Sequence, residues 1–214
     1  MAVIHHTTMT PGKLELLTTW LPTRPWYRGN GHAPELDKAG GFRLDDPAGA
    51  VGIEFMLLND STGPTTYHVP LTYRDAPLDG ADEALIGTSM HGVLGQRWIY
   101  DGTRDPVSVA QVVALLGGRV QPQAQSASDT PDPSVVVALG EFPGVAPELD
   151  SAVDGQSYTD IAVGSGTIVR IERVVRPAPA PEAGASVASH GHVSAPWQLT
   201  DGSTVRGVLL AIGA

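Results

Sequence analysis

The sequence predicts an α+β protein: an antiparallel sheet packed on one or two helices, followed by a small β-rich second unit. Three observations lead there. Two neighbouring segments alternate apolar and polar residues around a turn, two others carry helical apolar spacing, and beyond residue 134 only short strand-like runs separated by Gly, Asp or Pro remain. With 25 Gly and 18 Pro in 214 residues, short strands and many turns are favoured over long helices.

Near the N-terminus, Thr10 is placed to cap a helix that starts at Pro11, with Leu14, Leu17 and Leu21 on one face and Pro22 as its stop. The stretch Pro22–Gly29 is too rich in proline to continue it and reads as a structured loop. Val51, Ile53, Phe55 and Leu57 then alternate with their neighbours, as do Tyr67, Val69, Leu71 and Tyr73. Asn59–Pro64 is the turn between these two strands of a hairpin. Pro70 cannot donate a ladder hydrogen bond, which predicts an edge position or a bulge for the second strand. Gly95–Tyr100 reads as another strand. Asp105-Pro106 opens the strongest helical signal, with Val109, Val112, Val113 and Leu116 on one face and Gly117-Gly118 ending it.

Residues 1–120 form the first unit on this reading. Residues 121–134 are polar, Pro-rich and without period, as a linker or long loop would be. Residues 135–214 form the β-rich unit, with runs at Val135–Leu139, Thr159–Val163, Thr167–Val175, Val193–Leu199 and Thr204–Ile212. Within it, 177–185 reads as a mobile connection.

Composition limits what the chain does. Thirteen Lys plus Arg stand against 23 Asp plus Glu, a net charge of −10 that repels nucleic acid and anionic membrane surfaces. No signal-like N-terminus or membrane-length apolar run is present, so the expectation is a cytoplasmic protein. The absence of Cys removes thiol catalysis and Cys-ligated metals. His5-His6 and His190 with His192 have no carboxylate at a ligand-like spacing, so no metal is expected. Asp45-Asp46, Asp60, Asp129 and Asp132 lie beside Pro or Gly and read as turn residues. A homo-oligomer is compatible with this sequence.

Trp20-Leu21-Pro22 followed by Pro25-Trp26-Tyr27-Arg28, then Tyr67-His68-Val69-Pro70-Leu71, Ala84-Leu85-Ile86-Gly87 and Tyr100-Asp101-Gly102 before Asp105-Pro106, resemble the N-terminal cap of bacterial maltokinases over residues 10 to 116. Those enzymes phosphorylate maltose with ATP on the route from trehalose to α-glucan. The resemblance implies a cystatin-like cap, and for 135–214 a unit similar to the kinase intermediate lobe. There Gln156-Ser157-Tyr158-Thr159 precedes a strand whose Arg170 matches the position of a phosphate-contacting lysine. Arg170, Ser157 and Thr159 are therefore the candidate remnant of a nucleotide-phosphate contact. From the residues alone, Arg170 reads as a strand arginine pairing with Glu172 or solvent, and Gly164-Ser165-Gly166 as a hairpin turn rather than a phosphate nest. Since the chain stops at Ala214, the family's catalytic lobe is expected to be lacking.

The expected function is a non-catalytic binding or regulatory module that docks on an α-glucan or on an enzyme of trehalose, maltose or α-glucan metabolism, with no cofactor. Its candidate surface is the loop with Arg24, Trp26, Tyr27 and Arg28, in which two prolines hold the aromatics outward between two cations. Trp20 and Trp98 read as core. The alternative is a maltokinase-like subunit or relic, using ATP and magnesium with a catalytic lobe from another chain. A branching enzyme of the usual kind needs a barrel of ~250 residues, more than this chain holds.

Overall fold

The computed structural model describes residues 8–139, 148–164, 166–178 and 191–213. His5, His6, Ser165, His190 and the 179–185 part of the expected mobile connection lie outside the described residues. Along the chain run β1 (Met9–Thr10), α1 (Lys13–Trp20), β2 (Leu36–Asp45), β3 (Gly52–Asp60), β4 (Thr65–Arg74), β5 (Leu85–His91) and β6 (Gly95–Asp101). Then come α2 (Pro106–Leu116), β7 (Val136–Ala138), β8 (Leu149–Asp154), β9 (Tyr158–Val163), β10 (Thr167–Glu172), β11 (Val174–Val175), β12 (His192–Gln198) and β13 (Thr204–Gly213). The protein is α+β, an open antiparallel sheet with two helices.

Strand order is β1-β5-β6-β4-β3-β2-β12-β13-β10-β9-β8, with β11 beside β4 and β7 beside β12. The strands after residue 134 thus extend the sheet begun by the N-terminal hairpin. β2 meets β12 at one residue pair, Gly40 opposite Trp197, and β11 adds two more on β4, Val174 opposite Tyr67 and Val175 opposite Thr66. A Cβ on Gly40 would stand 3.1 Å from the carbonyl oxygen of Pro196, so glycine lets the two backbones meet there.

β3 and β4 lie in the middle. Every residue from Ile53 to Asp60 is buried because both faces of β3 are covered. Phe55 and Leu57 face a core shared with Val109, Val112 and Leu116 of α2 and with Val169, Ile171, Val193 and Leu210 of the C-terminal strands. Met56 and Leu58 face a second core with Leu17 and Trp20 of α1, Tyr67, Val69 and Ile99. The first core draws on both halves of the chain, whereas the second takes only Val174 from beyond residue 134.

Four expectations change in the structure. α1 begins after Gly12 rather than at Pro11, and Thr10 belongs to β1. Glycine has no capping side chain, so Glu15 turns back to accept from the Gly12 N–H at 3.3 Å. β4 is central despite Pro70. The His68 N–H points to Arg173, and Pro70, two residues on, points the same way, into the gap between β11 (ending opposite Tyr67) and β6 (beginning opposite Leu71). No ladder bond is lost there. Of the two readings of 121–134, linker or long loop, the stretch is a loop, and it is docked on β2: Arg43 and Gln123 exchange backbone hydrogen bonds of 2.9 and 2.8 Å. β12 reaches β2 only at Gly40, so the edge at Arg43 needs another partner. Finally, β2, β5 and β8 fall on stretches that were not expected to be strands, since Gly-rich or acidic runs there hide the alternation.

Candidate functional site

Tyr100-Asp101-Gly102 and Asp105-Pro106 carry β6 through one 3₁₀ turn, Gly102–Arg104, into α2. Each aspartate does two things. Asp105 accepts the Val107 N–H at 2.9 Å, capping α2 ahead of Pro106, and holds Arg74 through two bonds of 2.7 Å. That pairing raises the Arg74 pKa further. Asp101 accepts the backbone N–H and hydroxyl of Thr103 at 3.1 and 2.9 Å with one oxygen, leaving the other for a cation.

The cation is Arg173, which sequence reasoning missed. It sits at the break between β10 and β11 and is wholly buried. Its Nη2 donates to Asp101 Oδ2 at 2.5 Å and to Thr103 Oγ1 at 2.9 Å, and its Nε donates to Thr159 Oγ1 at 2.7 Å. The Thr159 hydroxyl in turn donates to Asp154 Oδ1 at 2.6 Å, and Arg104 Nη2 donates to Asp154 Oδ2 at 3.4 Å. The guanidinium lies over the Trp26 ring, 4.9 Å from its centroid. One signal pointed here: Arg173 shares the strand parity of Val169 and Ile171, both buried.

His68 is pinned against the same segment. Its backbone N–H donates to the Arg173 carbonyl and its Nδ1 lies 2.9 Å from the Glu172 carbonyl, which requires the proton on Nδ1. Burial, aided by the charge of Arg173, pushes its pKa down to about 3. The imidazole is thus neutral and structural at ordinary pH.

The four loop residues part company. Trp26, expected to face outward, is fully buried, edge-on to Trp20 at 5.8 Å and tilted against Tyr67 at 6.1 Å. It fills the space under α1 and covers the Arg173 guanidinium, two apolar contacts that outweigh any preference of a proline-flanked loop for solvent. Tyr27 is half-buried against Tyr67, 5.7 Å between centroids. Arg28 is exposed, its backbone N–H held by the Tyr67 hydroxyl at 2.9 Å. Burial, with that bond opposing it, raises the Tyr67 pKa to about 12. Arg24 lies 4.8 Å over the Trp20 ring and bonds Thr23. Among the described residues neither Arg24 nor Arg28 has a carboxylate partner, so the loop presents two cations, Arg24 against the Trp20 ring and Arg28 exposed.

Arg170, Ser157 and Thr159 are not brought together. Arg170 stands opposite Asp160 in the β9–β10 register and grips it through two bonds of 2.8 Å, its plane 3.7 Å over Tyr158. The partner is therefore Asp160 rather than Glu172, because the cross-strand position is the nearer one. Thr159 points the other way, into the Arg173 cluster. Ser157 supplies its carbonyl to the N–H groups of Arg173 and Val174.

Of the aspartates read as turn residues, Asp45 instead ends β2 beside Arg43, while three others do make turns. Asp46 accepts from Ala48, Ala50 and Val51, Asp60 from Thr62, and Asp132 from Ser134. Among the described residues no group of three or more His, Asp or Glu could hold a metal ion, and no helix is long and apolar enough to cross a membrane.

The stretch from Trp20 through Asp105, which ends on this double cap, is also the stretch that carries a family signature. Residues 20–105 match the maltokinase N-terminal cap domain. No curated protein matches the chain. The cap match contributes Asp101, Thr103, Asp105, Trp26 and His68 to the buried cluster, and the strands beyond it contribute Arg173, Thr159 and Asp154.

Proposed function

We propose that this chain is a non-catalytic docking or regulatory module of maltose, trehalose or α-glucan metabolism, working in the cytoplasm and binding a partner enzyme or the glucan through the loop that carries Arg24 and Arg28. The carrying observation is the maltokinase cap match at residues 20–105, within which the aspartates of the shared motif are spent on folding. A reacting carboxylate must reach substrate, whereas Asp101 and Asp105 are closed in by arginines. Arg170 supports the same reading, since its fork is filled by Asp160. On this view residues 1–120 are a cystatin-like cap and 135–214 a unit related to the kinase intermediate lobe.

The loop suits docking because its anchor and its contacts are separate. Trp26 is locked in the core, so Arg24 and Arg28 are presented with little freedom to lose, and they would steer an acidic surface. The purified full chain is expected not to transfer phosphate from ATP to maltose. Turnover above ~0.1 s⁻¹, below the usual kinase range, overturns the non-catalytic reading. In native lysate, capture of a sugar-metabolic partner or of glucan is expected, weakened at least ~10-fold in the Arg24→Glu, Arg28→Glu double variant.

A further inference from the structure

The chain has two asparagines, Asn30 and Asn59, and the fold treats them in opposite ways. Asn59 is buried on β3, where its amide donates to the Gln198 carbonyl at 2.8 Å and its Oδ1 accepts from the Thr66 hydroxyl at 2.8 Å. Asn30 is exposed and stands before Gly31, in the loop that leads from Arg28 to β2. Its Oδ1 accepts the His32 N–H at 3.2 Å, and its Nδ2 donates to the Thr62 carbonyl at 2.8 Å. The second bond ties this loop to the β3–β4 turn.

Three features prepare Asn30 Cγ and the Gly31 nitrogen to react with each other. The ring closed by the bond from His32 to Oδ1 runs through both atoms, so the side chain is folded back along the Asn30–Gly31 peptide. The Gly31 N–H has no hydrogen-bond partner among the described residues, and beyond its chain neighbours no heavy atom lies within 4 Å of where a Cβ on Gly31 would stand. Its φ of +92° also favours glycine, which leaves the nitrogen uncrowded. Finally, the His32 N–H already points at Oδ1, the oxygen that takes up negative charge when Cγ is attacked.

We propose that Asn30-Gly31 is a self-modification site. The Gly31 amide loses its proton to solvent base, and its nitrogen forms a bond to Asn30 Cγ. The Cγ–Nδ2 bond breaks, and Nδ2 leaves as ammonia with a proton taken from water. Water then opens the cyclic imide at either carbonyl, leaving a carboxylate at position 30 in normal or β-linked form. The sum is amide plus water to acid plus ammonia, with nothing oxidised or reduced. A carboxylate only accepts, so the bond to Thr62 is lost, and a negative charge replaces a neutral amide two residues from Arg28. This chemistry is independent of the docking role proposed for the loop.

The test keeps the full chain at neutral and at mildly alkaline pH and follows its peptide masses for the gain of an amide turned acid. Conversion is expected at Asn30 at least ~10-fold faster than at Asn59, and in proportion to hydroxide. It is also expected to run no slower in the folded chain than in the chain unfolded in urea. His32→Pro keeps the Asn-Gly pair but removes the N–H, and is expected to slow the folded rate at least ~3-fold, with an unchanged Tm showing that the fold is kept. Asn30→Asp, made directly, is expected to speed amide hydrogen exchange over residues 30–35 at unchanged Tm, which reads the lost bond to Thr62. A folded rate below the unfolded one, or a folded rate that His32→Pro leaves unchanged, overturns the site.

Discussion

Arg170 and Arg173 lie on one short run of chain and each bonds an aspartate, yet they belong to different kinds of interaction. The Arg170 side chain is 40% exposed and its partner Asp160 26% exposed. Water screens the pair, and such contacts are worth about 0–1 kcal/mol. Arg173 is 0% and Asp101 3% exposed. There the cost of leaving water is offset by two threonine hydroxyls, an aromatic face and the charge of Asp101, with Nη1 alone left without a hydrogen-bond partner among the described residues. Removing any one member strands the rest without solvent. The motif-matched arginine is thus the dispensable one, and the unremarked arginine holds the two halves of the chain together.

Breaking the buried member should have the largest effect. Arg173→Met leaves Asp101 buried and unpaired, and is expected to cost about 3–5 kcal/mol and lower Tm by about 10 °C or more. Adding Asp101→Leu should recover much of that loss, because the stranded charge is then gone. A double variant no more stable than the single one would show that the geometry of the turn, rather than the charge, is at fault.

Trp26→Ala opens a void under the guanidinium and in the α1 core together. Its expected cost is about 3–5 kcal/mol by denaturant unfolding. A cost below about 1 kcal/mol would return Trp26 to the surface role that its loop sequence suggests.

His68 sharpens the comparison through pH. Its folded pKa of about 3 lies below the ordinary value of 6.5. The unfolded chain therefore binds a proton in that window while the folded one does not. Stability is complete above about pH 6.5 and falls by up to ~1.4 kcal/mol per unit as pH drops toward 5. Urea midpoints across that range should follow this slope, and His68→Leu should flatten it. An unchanged slope in the variant would locate the titrating group elsewhere.

Arg170→Ala should have the smallest effect, within about 1 kcal/mol of the parent. A loss as large as that of Arg173→Met would mean that the β9–β10 edge is packed far more tightly than its exposure indicates.

The sequence by itself determined the elements whose signals are local. Asp105-Pro106 and the valines of α2 announce a capped amphipathic helix, and the β3–β4 hairpin follows from alternation around Asn59–Pro64. The turn aspartates and the maltokinase cap resemblance were legible for the same reason, since each rests on residues near one another in the chain. Tertiary structure alone decided the rest. Pro70 fits a central strand because the far edge of β4 changes partner beside it, and 121–134 is docked because β2 has an open edge at Arg43. Trp26 turns inward, although its loop looks exposed, because Arg173, far along the chain, needs a cover. Lys13 reaches Glu54, 41 residues on, only once α1 has packed on β3. Long-range pairing free energies of several kcal/mol override local preferences worth a few tenths, and nothing in the local sequence records which distant partner will supply them.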